Sequence, residues 1–502
     1  MKFSKRVQRP NAARRNFLRL AGLTALAQVA PAGAEDQPPP PAAPGADASN
    51  QPAPSPAGQT VWGYADRHSV REGETFNVML STGPDLPGTK GKIELFRVGA
   101  APEQAPVWSE EVAVDSQEML ATSASVGAGW YPATTIDPSG WQPGVYLADF
   151  VDAGTGRREA AFLQIVVRGS AKTRDLLVKL GTNTYQAYND WGGHSLYEQD
   201  GDPATRGAMV SFDRPGKAAL LEYDLFLVRW IEALAKKHGF SVDYASNHDI
   251  HRDRRLLESA RLAVSSAHDE YWTKEEYDAY EKRIHSRGQN TIFFGANTGY
   301  WQVRYFDLNR SPDGEDLGRQ MLCWKTTSDP LTERETRHDK TLLTTNRFRD
   351  GGRRPETMLM GVGYQNWFPA DAPDLRFPYH VASASAPFFA GTNYKAGDLA
   401  ADVVGYEWDN RDPDGDGKRL WDKEHSRIAL LPEEKLQVLF KGEPVGGDGK
   451  KGLAEAVYFR SAAGAKVFSS GSIRWAWGLG KPGFEREDFK KFNENLVLDF
   501  LR

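Results

Sequence analysis

The chain has 502 residues, with 62 lysines and arginines against 67 aspartates and glutamates, a formal net charge of −5. That length predicts two or more domains with sizeable cores, and the acidic balance argues against generic binding to nucleic acid or anionic membranes. The single cysteine, Cys323, excludes an internal disulfide and a thiolate metal cluster, and leaves the redox compartment open.

Residues 1–34 read as an export signal. Lys2, Lys5, Arg6, Arg9, Arg14, Arg15 and Arg19 form a basic stretch with no acid, and an apolar segment from Leu20 to Ala30 follows. Ala32-Gly-Ala34 then offers a small-residue cleavage site. Arg14-Arg15-Asn-Phe17-Leu18-Arg19 resembles the twin-arginine motif, which implies a periplasmic or secreted protein. The apolar segment is too short for a membrane anchor, holds Gln28 and meets Pro31, and no later stretch is long and apolar enough to span a bilayer. Residues 35–59 are rich in proline and alanine and read as a disordered linker.

From 60 to about 170 the segments are short and strand-like. Phe76-Asn-Val-Met-Leu80, Lys92-Ile-Glu-Leu-Phe96, Gly144-Val-Tyr-Leu-Ala-Asp-Phe150 and Ala161-Phe-Leu-Gln-Ile-Val-Val167 alternate or run apolar between turn residues. They predict a small β-sandwich domain. From 171 to 502 the period changes. Leu176 to Leu180, Phe240 to Tyr244, Leu262 to Ser265 and Thr291 to Phe294 read as buried strands. Helices are predicted from Ala218 to Lys237, around Tyr277 to Arg287 and from Arg486 to Leu501. That alternation predicts an α/β domain, a parallel sheet with helices on both faces. Residues from about 305 to 450 read as loops and a β-rich elaboration at its edge.

Three predicted strand ends carry unusual residues: Gly181-Thr-Asn-Thr-Tyr185-Gln-Ala-Tyr188-Asn-Asp190-Trp191-Gly-Gly193, His268-Asp-Glu270-Tyr-Trp272 and Gly295-Ala-Asn297-Thr-Gly-Tyr300-Trp301. Ligands of open α/β sheets sit outside the carboxyl ends of the strands. If these strands are parallel neighbours, Tyr185, Tyr188, His268, Glu270 and Asn297 converge. The plainer reading has the tyrosines in packing, His268 or Asp269 capping the next helix and Asn297 holding a positive φ before Gly299. That next helix begins with Thr273 and Glu276 at capping-box spacing.

Asp412-Pro-Asp414-Gly-Asp416-Gly417 starts like a calcium loop, but Lys423 stands where a bidentate glutamate belongs, so it reads as a solvated acidic turn. Ser469-Ser-Gly-Ser472 lacks the leading glycine of an esterase elbow.

Together with Val210-Ser-Phe-Asp-Arg-Pro215, Val404-Gly-Tyr-Glu-Trp-Asp409 and Gly471-Ser-Ile-Arg-Trp-Ala-Trp-Gly478, the three loops resemble the large-subunit core of the N,N-dimethylformamidase family, from about Lys172 onward. The resemblance implies a glutamine-amidotransferase-like α/β core and a mononuclear ferric iron held by two tyrosinates and a glutamate. Glu270 matches the glutamate, and Tyr188 or Tyr185 the later tyrosine; Tyr146 is offered for the earlier one on spacing alone. His268 and Asn297 match the groups that act on substrate. Phenolate and carboxylate are hard donors suited to ferric ion, His268 is the candidate acid/base, and Asn297 a donor to the oxyanion. Trp191, Trp272 and Trp301 are candidate walls of an apolar pocket.

The expected activity is therefore iron-dependent hydrolysis of a C–N bond in a small-molecule amide, with a small partner subunit or a homo-oligomer implied. A rival reading is a non-catalytic exported protein that binds carbohydrate through the β-sandwich and the aromatic loops.

Overall fold

The computed structural model describes residues 60–502, apart from 84–85, 102–104, 199–201, 203–204, 217–221, 307–317, 326, 328, 334–343, 352–353, 371, 373–374 and 416–435. The export signal and linker expected over residues 1–59, and the distal half of the acidic turn, lie outside the described residues.

Two antiparallel-rich sheets form first. One holds Val61–Ala65, Phe76–Thr82 and Pro132–Ile136; the other runs Ser69–Arg71, Arg158–Arg168, Gly144–Asp152, Thr89–Arg97, Trp108–Val114. Alternation decides which faces meet: Ile93 and Leu95 are fully buried while Lys92 and Glu94, which alternate with them, pair at the surface. Val78, Leu80, Ile93, Leu95, Tyr146, Phe150 and Ile165 share one core between the sheets, the arrangement of a small sandwich.

The larger part is built on a nine-stranded sheet ordered Val242–Ala245, Arg174–Lys179, Ala260–Ala267, Asn290–Gly295, Lys466–Ser469, Ala454–Arg460, Gln437–Gly442, Phe377–Val381, Leu399–Val404. The first five are parallel; every pairing after Lys466–Ser469 is antiparallel.

This corrects the expected fold class. The chain is mostly β, with several mixed and antiparallel sheets, and is not a glutamine-amidotransferase-like α/β fold with helices on both faces. The cause lies between residues 305 and 450. Apolar runs there contribute three strands to the main sheet itself, and a separate pair, Gly363–Trp367 with Glu407–Asn410, stands beside it. Periodicity identified strand character there but carried no information on which sheet would accept the strands.

The predicted long helix is Asp224–His238, which buries Leu227, Val228, Ile231 and Leu234 and stops at Gly239 in the left-handed region (φ 72°). The closing helix, Glu487–Phe500, buries Phe489, Phe492, Leu496 and Val497 against the same cluster. No helix among the described residues is long and apolar enough to cross a membrane.

The parallel strands set the position of the site. Val264 pairs with Val178 on one side and Ile292 on the other, so their carboxyl ends lie level. The segments that leave them pack tightly: a Cβ on Gly181 would lie 2.4 Å from the His268 carbonyl oxygen, so only glycine permits that approach. Thr273 caps the helix Lys274–Glu281 in a capping box with Glu276, which leaves His268 and Asp269 for other contacts.

Candidate active site

The segment His268 to Tyr271 is pinned through its backbone. Thr184 Oγ1 accepts the Glu270 N–H at 2.9 Å, Asn183 Nδ2 donates to the Tyr271 carbonyl at 2.9 Å, and the Glu270 carbonyl accepts from Tyr300 and Trp301 at 2.9 and 3.1 Å. Thr184 and Asn183 sit on the helix Thr182–Ala187, whose C-terminal neighbour is Tyr188. All three strand-end loops are thereby one unit.

Glu270 is at its centre. Tyr188 Oη donates to Glu270 Oε2 at 3.0 Å, and Tyr197 Oη lies 3.0 Å from each carboxylate oxygen and 2.8 Å from Tyr188 Oη. Tyr271 Oη donates to Tyr197 Oη at 2.6 Å. Burial, reinforced by the Glu270 charge, raises the pKa of Tyr188 and Tyr197 well above the ordinary phenol value. Lys325 Nζ stands 3.3 Å from the Tyr197 ring centroid, and burial pulls its pKa down to about 8. Its backbone is left-handed (φ 52°), a conformation that costs energy for a lysine and recurs at functional sites.

A second group adjoins the first. His268 Nε2 lies 3.3 Å from Glu270 Oε2 and 3.1 Å from Glu407 Oε2. Neither contact has hydrogen-bond angles, so both are charge contacts and the ring nitrogen keeps a free direction. Burial opposes a charge on His268, but attraction by Glu407 and Glu270 outweighs it and lifts the pKa to about 10. Burial likewise raises Glu407, against the pull of His268. Asn297 Nδ2 donates to Glu407 Oε2 at 3.0 Å, and its backbone N–H to Asp409 at 2.8 Å. Asn297 does take a positive φ (53°). Tyr406 Oη sits 3.3 Å from His268 Nδ1. His268, Glu270, Asn297 and Glu407 are all buried.

The charge behind the site is balanced by Lys179, which is fully buried. Its Nζ meets Asp269 Oδ2 at 2.5 Å and Glu276 Oε1 at 3.1 Å, over the face of Trp272. Asn247 Nδ2 joins both carboxylates, at 3.2 and 2.8 Å.

The structure brings Tyr188, His268, Glu270 and Asn297 together and does not bring Tyr146 to them. Tyr146 is in the core of the N-terminal sheets, where its hydroxyl donates to the Gln142 carbonyl at 2.7 Å and its ring packs on Trp141. Tyr185 turns to Asp224, at 2.5 Å. Tyr197 occupies the place next to Tyr188 instead. Sequence reading missed it because it lies nine positions past Tyr188, beyond any strand end. Glu407 was also missed as a site residue, although its motif was noticed, because strand Glu407–Asn410 was read as peripheral elaboration.

The three tryptophans do not form one wall. Trp272 is fully buried against Tyr280 and Phe293, Trp191 packs on Trp130, and Trp301 packs on Tyr300. Ser469, Ser470 and Ser472 all hydrogen-bond main-chain carbonyls, and Asp414 pairs with Arg349 at 2.7 Å.

A strand-rich scaffold carrying a buried tyrosine–carboxylate cluster beside an imidazole held between two carboxylates is the class these observations define. The chain belongs to the N,N-dimethylformamidase beta subunit-like, C-terminal family, whose model matches residues 92–489. The match begins within strand Thr89–Arg97, earlier than the sequence motifs suggested. The N,N-dimethylformamidase beta subunits of Alcaligenes sp. and of Paracoccus aminophilus are each 23% identical to it over 350 residues, 64% of this chain and 44% of theirs. The chain therefore spans less than half the length of these relatives. A cycloisomaltooligosaccharide glucanotransferase from Paenibacillus sp. superposes with a TM-score of only 0.15 and 11% identity, over 53% of this chain and 33% of that one, which does not amount to a shared fold.

Proposed function

We propose that this chain hydrolyses the C–N bond of a small amide at a site that holds a ferric ion between Tyr188, Tyr197 and Glu270. One observation carries the reading: both hydroxyls lie within 3.0 Å of the same carboxylate and 2.8 Å from each other. Among the described residues no three His, Cys, Asp or Glu side chains come together as a metal cage, so a metal here would draw on tyrosine. Three hard oxygen donors in one buried cluster fit a hard cation, which would also remove the burial penalty on the phenolates. Once bound, such an ion supplies Lewis-acid polarisation of an amide carbonyl and lowers the pKa of water.

The remaining groups have roles set by geometry. An amine leaves an amide only when protonated, so a proton donor must stand near the nitrogen. His268 Nε2, with its unused direction, is that group, and Glu407 and Glu270 hold its charge. Glu407 Oε2, 3.1 Å from the same nitrogen, is close enough to exchange the proton with His268 once the ring turns toward it. Asn297 spends one Nδ2 proton on Glu407 and has a second to direct at the carbonyl oxygen. Trp272 and Trp301 are buried and present no face to a sugar ring, so those two loops favour the amide reading over carbohydrate binding. Periplasmic or secreted placement, and a partner subunit or homo-oligomer, are proposed with it on the N-terminal motif and on the relatives' description as beta subunits.

The test is metal analysis of purified protein with a visible spectrum, together with turnover of a panel of small amides that includes N,N-dimethylformamide. A tyrosinate-to-iron charge-transfer band that weakens in Tyr188→Phe supports the reading. Folded, iron-supplemented protein with neither band nor amidase activity refutes it.

A further inference from the structure

The motif Val210-Ser-Phe-Asp-Arg-Pro215 takes no part in the chemistry described above. Its fifth residue, Arg214, is 1% exposed and forms no ion pair among the described residues. A guanidinium has five N–H donors, and here all five end on main-chain carbonyls. Nε donates to Ser211 at 2.9 Å, Nη1 to Trp191 at 2.8 Å and His194 at 2.9 Å, and Nη2 to Gln186 at 3.1 Å and Asn189 at 2.7 Å. Burial accordingly pulls its pKa down to about 9, against the attraction of Asp190.

Four of those carbonyls belong to one stretch, Gln186 to His194. It contains Tyr188 and ends three residues before Tyr197. Gln186 and Asn189 flank Tyr188, and both reach the same nitrogen, so Tyr188 cannot shift without lengthening those bonds. Leu196 N donates to the Ala187 carbonyl at 3.0 Å and closes the loop next to Tyr197. A loop whose carbonyls point inward has no ladder to satisfy them; Arg214 is the donor it lacks.

We propose that Arg214 is the positioning residue of the tyrosine pair: it gathers the Gln186–His194 carbonyls so that the Tyr188 and Tyr197 hydroxyls meet on Glu270. This rests on the reading of those two tyrosines as site residues. Lysine cannot substitute, because an ammonium has three donors at one point rather than a planar fork.

The test uses Arg214→Lys and Arg214→Met in the full chain. Hydrogen exchange should accelerate in peptides covering 186–197 while strands Arg174–Lys179 and Ala260–Ala267 stay protected. A crystal structure of the variant should show the two hydroxyls out of hydrogen-bond contact, and affinity for ferric ion should fall about 10–100-fold, as for loss of other groups that orient metal ligands. Hydroxyls still in contact in both variants would overturn the proposal, as would a loosened loop with ferric affinity unchanged. Should Arg214→Met fail to fold, Arg214→Lys, which keeps the buried cation, carries the test. If the wild type takes up no ferric ion, the metal reading falls, and the hydroxyl separation in the variants still decides the role of Arg214.

Discussion

Two conservative substitutions separate the tyrosine that spacing suggested from the one the tertiary structure supplies. In Tyr197→Phe the lost hydroxyl touches both Glu270 oxygens at 3.0 Å, Tyr188 at 2.8 Å and Tyr271 at 2.6 Å. A hydrogen bond to a buried charge contributes about 1.5–3 kcal/mol, and the stranded Tyr271 hydroxyl costs about 1–3 kcal/mol more. Tyr197→Phe should therefore destabilise the metal-free protein by roughly 2.5–6 kcal/mol in urea denaturation, and should weaken the iron charge-transfer band. Tyr146→Phe removes a single bond to the Gln142 carbonyl, a loss of about 1 kcal/mol, and should keep both band and turnover. If Tyr146→Phe weakens the band while Tyr197→Phe leaves both band and turnover unchanged, the argument from the structure is wrong.

Glu407→Gln should lower kcat by about 10²–10⁴-fold, the range for loss of a proton-transfer partner, in steady-state assays on any small amide that the wild type hydrolyses; a loss under threefold would remove Glu407 from the mechanism. Lys179→Met leaves Asp269 and Glu276 buried without their cation, and breaking such a pair costs about 3–5 kcal/mol. Chemical denaturation that shows a cost near zero would mean the pair is neutral in the native state. His268 gives a pH dependence whose sign is fixed. Its pKa is raised from 6.5 to about 10, so the native state keeps a proton that the unfolded state releases. Its contribution is complete below pH 6.5 and is lost as pH rises through about 10. Stability of the metal-free protein should fall across that window, and His268→Asn should flatten the fall; an unchanged slope would show that the imidazole is not held charged.

Much of this site was legible along the chain because strand ends announce themselves. A buried apolar run that stops and releases His268, Asp269 and Glu270 identifies both a strand and the face where chemistry gathers. Leu176 to Leu180 and Thr291 to Phe294 do the same for the flanking loops, and the capping box at Thr273 fixed where the next helix begins. These are local properties: alternation, capping and turn chemistry act within a few residues, and one chain suffices to read them.

The rest depended on contacts between segments far apart in sequence. Glu407 is 137 positions from Glu270, and it reaches His268 because its strand lies beside the main sheet, not in an outlying elaboration. Tyr197, rather than Tyr146, meets Tyr188 because Arg214 folds the intervening loop onto itself. The fold class turned on the same kind of fact. Strand periodicity is identical for parallel and antiparallel neighbours, so three strands between Phe377 and Gly442 could extend the central sheet with no local mark of doing so. By itself the sequence determined the strand ends and the residue types that face them. Only tertiary packing decided which strands are neighbours, and therefore which tyrosine and which second carboxylate complete the cluster around Glu270.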